Sequence, residues 1–182
     1  MTTPVRFDVA GSPEAGPSDP LVVGRIVGVH GLQGGLKLLS YTRPRSNLLR
    51  YREWWVRPAD GWRRVRLLEG SVQGKSLVAR LNAVDSREAA EQMVGLDILM
   101  PRADLPRAKA NEYYWAELIG MQVLNTEDSV LGQVRNLVEA GDHDVLVIAG
   151  EREYLVPFVR GVYILKVDRK ARQIRVDWHL DD

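Results

Sequence analysis

The sequence predicts a mainly all-β protein built as two small domains, and three observations carry that prediction. Short runs rich in Val, Ile, Leu, Tyr and Trp recur at roughly 10-residue spacing with Gly, Asp and Pro turn signals between them, the pattern of a barrel or sandwich. A polar stretch with two prolines, Pro101 to Asn111, interrupts the pattern past the middle of the chain. The charge balance reverses across it: residues 21–103 hold 14 Lys+Arg against 7 Asp+Glu, and residues 104–182 hold 10 against 14. A basic half joined to an acidic half suggests two domains with different partners, nucleic acid for the first and a basic protein for the second.

The elements follow in order. Residues 1–20 are rich in Pro, Gly, Ser and Ala, lack the apolar stretch of a signal peptide, and are expected to form a disordered tail. The first domain, 21–103, opens with a strand at Leu21 to Val29. After a glycine-rich turn come strands at Gly35 to Tyr41, Glu53 to Arg57, Trp62 to Glu69 and Lys75 to Leu81. Asp60-Gly61 marks one hairpin turn and Gly70 to Gly74 another. Pro44 to Leu49 reads as a short helical turn with proline near its start. The clearest helix is Ser86 to Met93. Asp85 or Ser86 can cap it, Glu88 sits three residues after Asp85, and Gly95 stands where the chain must turn out. Leu96 to Met100 then returns as a strand.

Residues 104–112 are expected to link this domain to a second one, 113–180. Its strand candidates are Leu118 to Leu124, Val130 to Glu139, Asp144 to Ile148, Glu153 to Pro157, Tyr163 to Asp168 and Gln173 to Asp177. Turns are expected at Glu127-Asp128, Gly141-Asp142 and Gly150, with a charged hairpin over Asp168 to Gln173.

Composition narrows the function class. Apolar residues make up 45% and charged residues 27%, which supports a packed core. There is no cysteine, so disulfides and thiolate metal sites are excluded, and a reducing, cytoplasmic setting is expected. No run approaches the about 18–20 apolar residues of a membrane-spanning helix. The histidines, His30, His143 and His179, are scattered without metal-ligand spacing, and no GxSxG or GxxxxGK[ST] occurs. No enzyme activity, metal or cofactor is expected, and nothing demands more than a monomer.

Three features invite a binding role. The segment Gly28 to Gly35, GVHGLQGG, is followed by a strand and not a helix, so it reads as a barrel corner. Its exposed residues, His30 and Gly31 first, are candidates to approach an RNA backbone. Arginines crowd the first half: Arg43, Arg45, Arg50, Arg52, Arg57, Arg63, Arg64 and Arg66, with Trp54, Trp55 and Trp62 among them. Guanidinium forks match phosphate and aromatic faces stack bases, so Arg43, Arg45, Arg63 and Arg64 are taken as RNA-facing candidates. The competing reading is barrel core ringed by solvated arginines. Trp54 and Trp55 are adjacent, so one of them must leave the core of its sheet. Third, Tyr113-Tyr114-Trp115 cannot all face one core from an extended segment, and such aromatics suit an interdomain packing surface or a partner site.

Taken together and in this order, three blocks resemble the RimM family. They are Val22 to Gly34, with its glycine turn; Glu112-Tyr113-Tyr114-Trp115-Ala116-Glu117-Leu118-Ile119-Gly120; and Leu131-Gly132-Gln133-Val134, followed by Gly141 to Val147 and Val156-Pro157-Phe158. The resemblance spans about residues 21–178, and Gly35 stands where the family commonly has an acidic residue. It implies a six-stranded barrel like those of translation factors, then a PRC barrel. It implies a non-catalytic, cytoplasmic ribosome assembly factor that binds the immature small ribosomal subunit and its rRNA, promotes maturation of the subunit's head, and binds small-subunit ribosomal protein nineteen. Tyr113 and Tyr114, with Trp115 beside them, would serve that partner. Two rival readings are a general RNA-binding module and a flavin-type cofactor barrel.

Overall fold

The computed structural model describes residues 14–106 and 112–181, and its internal contacts divide the chain into two units, Met1–Tyr114 and Trp115–Asp182.

In the first unit the strands are β1 (Pro20–His30), β2 (Gly35–Ser40), β3 (Thr42–Arg43), β4 (Glu53–Val56), β5 (Arg63–Gln73), β6 (Ser76–Leu81), β7 (Asp97–Pro101) and β8 (Tyr113–Tyr114). Six of them close a barrel in the order β1-β2-β6-β5-β4-β7, every neighbour antiparallel. Closure leaves no unpaired sheet edge. Alternation fills it: Val23, Ile26, Leu36, Leu38, Trp54, Val65, Leu77 and Ile98 face inward and are fully or almost fully buried. The helix α1 (Arg87–Met93) adds Ala90 and Met93 to the same core. Of its two expected caps, Ser86 does the work, its hydroxyl accepting the Ala89 amide at 3.1 Å.

Two expectations for this unit change. The turn expected at Gly70 to Gly74 shrinks to Gly74-Lys75, because β5 keeps pairing with β6 from Leu67↔Leu81 to Gln73↔Ser76. The disordered tail expected over residues 1–20 does not extend over residues 14–20. Residues 1–13 lie outside the described residues. Glu14 bridges to Trp62, Asp19 pairs with Arg102 at 2.8 Å, and Pro20 already belongs to β1. Backbone pairing with Trp62 and a salt bridge give this segment partners that composition does not reveal.

The second unit contains α2 (Trp115–Leu118), β9 (Gln122–Leu124), β10 (Val130–Ala140), β11 (His143–Ala149), β12 (Glu153–Pro157), β13 (Ile164–Asp168) and β14 (Gln173–Val176). They form one six-stranded sheet in the order β12-β11-β10-β9-β14-β13, in which only β9 and β14 run parallel. The strand expected from Leu118 starts at Gln122 instead, because the Ile119 amide bonds back to the Trp115 carbonyl and closes a helical turn first. The Gly141-Asp142 turn and the Asp168 to Gln173 hairpin fall where expected.

Just past β11, Gly150 admits no side chain. A Cβ on Gly150 would stand 1.8 Å from the Leu131 carbonyl oxygen, a backbone atom held in β10. Gly150→Ala is therefore expected to destabilise the second unit by about 1–3 kcal/mol. Calorimetry of the full chain would show one transition lowered. Unchanged melting would mean that β10 has room to yield.

Candidate functional site

The short ladder between β3 and β8 gathers residues that the sequence keeps far apart. Thr42 pairs with Tyr114 and Arg43 with Tyr113. The Tyr114 hydroxyl lies 2.9 Å from the Tyr51 hydroxyl and donates to the Pro106 carbonyl at 3.0 Å. Asn47, buried in the 3₁₀ turn Arg45–Arg50, donates its side-chain amide to the Glu112 carboxylate. The Arg43 guanidinium donates to the carbonyls of Ser40 at 2.8 Å and Thr42 at 2.7 Å. Ser40 and Thr42 are both buried and hydrogen-bonded to each other, which fixes the backbone that β8 joins. Residues 112–114 thus fasten onto the first barrel. The two tyrosines expected to open the second domain complete the first.

This placement sorts the aromatic trio. Tyr114 is 5% exposed and its hydroxyl is engaged. Trp115 is 7% exposed, and its indole N–H donates to the buried Asp144 carboxylate at 3.0 Å. Both were candidates for a packing surface or a partner site, and both rings are buried, one in each unit. A buried ring whose polar tip has a partner contributes apolar area and orientation together. Tyr113 alone is only half-buried. It stands beside Arg43, so the structure brings one partner-binding candidate and one RNA-facing candidate together at β3 and β8.

The remaining candidates separate. Arg45, half-buried, begins the 3₁₀ turn. Arg63 is a correction: it is 3% exposed, and its guanidinium pairs with Asp60. It sits on the inward phase of β5 beside Val65 and Leu67, so it cannot face RNA as placed. Arg64, one residue on, is outward and exposed, 4.7 Å over the Trp55 ring and within 3.5 Å of Glu14. His30 and Gly31 lie exposed where β1 turns toward β2, on the rim of an open cleft of about 790 Å³. Glu69 and Arg80, an ion pair at 3.8 Å, line its far side. Sequence reasoning missed Tyr51, Asn47 and Glu112, whose roles exist only once β8 pairs with β3.

Among the described residues no group of three or more His, Asp and Glu is placed to hold a metal ion, and no helix is long and apolar enough to cross a membrane.

Comparison with known proteins covers nearly all of this framework. The model of the RimM N-terminal domain matches residues 21–105, and that of the RimM PRC barrel domain matches residues 115–182. The ribosome maturation factor RimM of Nitrosococcus oceani is 45% identical over 161 residues, covering 88% of this chain and 92% of that protein. That of Methylococcus capsulatus is 42% identical over 158 residues, covering 87% and 92%. That of Stutzerimonas stutzeri is 45% identical over 172 residues, covering 91% and 96%.

Proposed function

The chain belongs to the RimM family, whose relatives carry the name ribosome maturation factor, and from that premise we propose that it acts in assembly of the small ribosomal subunit by binding, without catalysis. Tyr113, on β8 of the first unit, contacts small-subunit ribosomal protein nineteen, while the basic first barrel lies near the immature rRNA. Through these contacts the factor promotes maturation of the subunit's head and processing of its rRNA, working in the cytoplasm as a monomer. The observation that carries this reading is the pairing of Arg43 with Tyr113, which sets a basic residue and a half-buried aromatic residue on facing positions of neighbouring strands. Ribosomal proteins are basic, and the excess of acidic residues over 104–182 suits such a partner.

A binding factor moves an assembly equilibrium only through different affinities for the states it joins. The protein is therefore expected to bind immature small subunits more tightly than mature ones, and to release as the head matures. Co-sedimentation with both particles tests this, with Tyr113→Ala as the contact variant. Selective binding to immature particles, weakened by Tyr113→Ala, supports the reading. Equal affinity for both particles would sink it.

A further inference from the structure

On the outer wall of the first barrel four side chains form a continuous ladder. The Arg57 guanidinium lies 5.1 Å from the centroid of the Trp62 ring. Trp62 meets Trp55 edge to face, centroids 6.3 Å apart and planes at 88°. Arg64 lies 4.7 Å from the Trp55 centroid. Strand alternation dictates the placement: Trp54 and Val65 are spent on the core, so their neighbours Trp55 and Arg64, direct cross-strand partners, stand outside. Arg52 and Arg66 are exposed on the same strand pair or next to it. The core uses neither Trp55 nor Trp62, and both remain half-exposed.

Part of this ladder is covered by the chain itself. The Glu14 amide donates to the Trp62 carbonyl at 2.9 Å, and the Glu14 carboxylate reaches Arg64 at 3.5 Å. Gly16 packs on the indole so closely that a Cβ would stand 2.4 Å from Trp62 Cδ1, and its φ is +84°. An anionic oxygen on a guanidinium and a flat peptide on an aromatic ring are the contacts that a nucleotide makes with its phosphate and its base.

We propose that the Arg57–Trp62–Trp55–Arg64 ladder is a stacking site for single-stranded RNA, and that Glu14–Gly16 occupies it in the free protein until RNA displaces it. The inference rests on the reading that the first barrel faces rRNA, and it adds the RNA class and the contact face. Two indoles flanked by guanidinium groups bind unpaired bases without demanding a sequence. A double helix hides its bases and offers such a ladder only phosphates. The strap lowers apparent affinity by the fraction of time it is closed.

The test is fluorescence anisotropy of a labelled single-stranded RNA of about 12 nucleotides, titrated with the full chain at several salt concentrations. Trp55→Ala is expected to weaken binding about ten-fold. Gly16→Ala, which cannot keep its place on the indole, is expected to tighten binding roughly five-fold by opening the strap. Misfolding would remove the stacking face and weaken binding to it, so a gain of affinity that leaves the melting transition in place guards the conclusion drawn from the first. Affinities within about two-fold of the original for both variants would overturn the site. Binding to immature small subunits, measured on the same preparations, separates the two readings. Subunit binding that persists while RNA affinity ignores Trp55 and Gly16 removes only the ladder. Absence of subunit binding by the unaltered protein removes the assembly role.

Discussion

Trp54→Ala is expected to lower the stability of the first barrel by about 3–5 kcal/mol, while Trp55→Ala, one residue away, costs less than about 1 kcal/mol. Trp54 is wholly buried among the inward side chains of the barrel, so truncation leaves a cavity lined by neighbours on strands that closure holds in place. The walls of a closed barrel relax little, which puts the cost toward the upper end of the range. Trp55 contacts Trp62 and Arg64 on the outer wall, where water replaces whatever is removed. Scanning calorimetry of the full chain would resolve the pair: one melting transition falls sharply for Trp54→Ala and hardly moves for Trp55→Ala. Equal losses would mean that the outer ladder is a packing surface. That result would also weaken the case for RNA there.

The second large effect concerns Tyr114. Tyr114→Ala removes a buried ring together with the hydroxyl that links Tyr51 and the Pro106 carbonyl, and is expected to cost about 3 kcal/mol. Tyr114→Phe keeps the ring and loses only the hydroxyl contacts, about 1 kcal/mol. Under the proposed function, Tyr114→Ala also abolishes association with immature subunits, because β8 no longer holds Tyr113 beside Arg43. Tyr113→Ala should weaken the same association with little loss of stability. The three variants form one test. A Tyr114→Ala protein that keeps its melting temperature yet fails to bind would make Tyr114 a contact residue and overturn its packing role.

Most of the strand layout was legible because it rests on period-two alternation and turn chemistry, both local. The Trp54-Trp55 dipeptide already required one ring outside, and the structure places Trp55 there. Ser86, the Gly141-Asp142 turn and the Asp168 to Gln173 hairpin are likewise local signals. Three features were not legible, for a shared reason. Arg63 reads as one of several surface arginines until β5 is given a phase and Asp60 a position. Trp115 reads as one of three aromatics of unassigned side until Asp144, distant in sequence, is placed on its indole nitrogen. The β3–β8 ladder has two residues on each side, too short for any periodicity, and it joins positions about 70 residues apart. In each case the deciding contact is polar, and all but the Arg63–Asp60 pair are long-range.

That same ladder bears on how the protein is born. Translation delivers a chain from its N-terminus, and the closed strands of the first barrel end at Pro101. The partners of Thr42, Asn47 and Tyr51, namely Tyr114 and Glu112, leave the ribosome only later. Until then the barrel waits with a vacant seam, and the residues that fill it are continuous with the start of the second unit. A fragment cut at residue 103 would keep every strand of the barrel yet lack this last fastening. The first unit is thus closed only after residues 112–114 have been made, so the seam would report on the progress of synthesis as well as on structure.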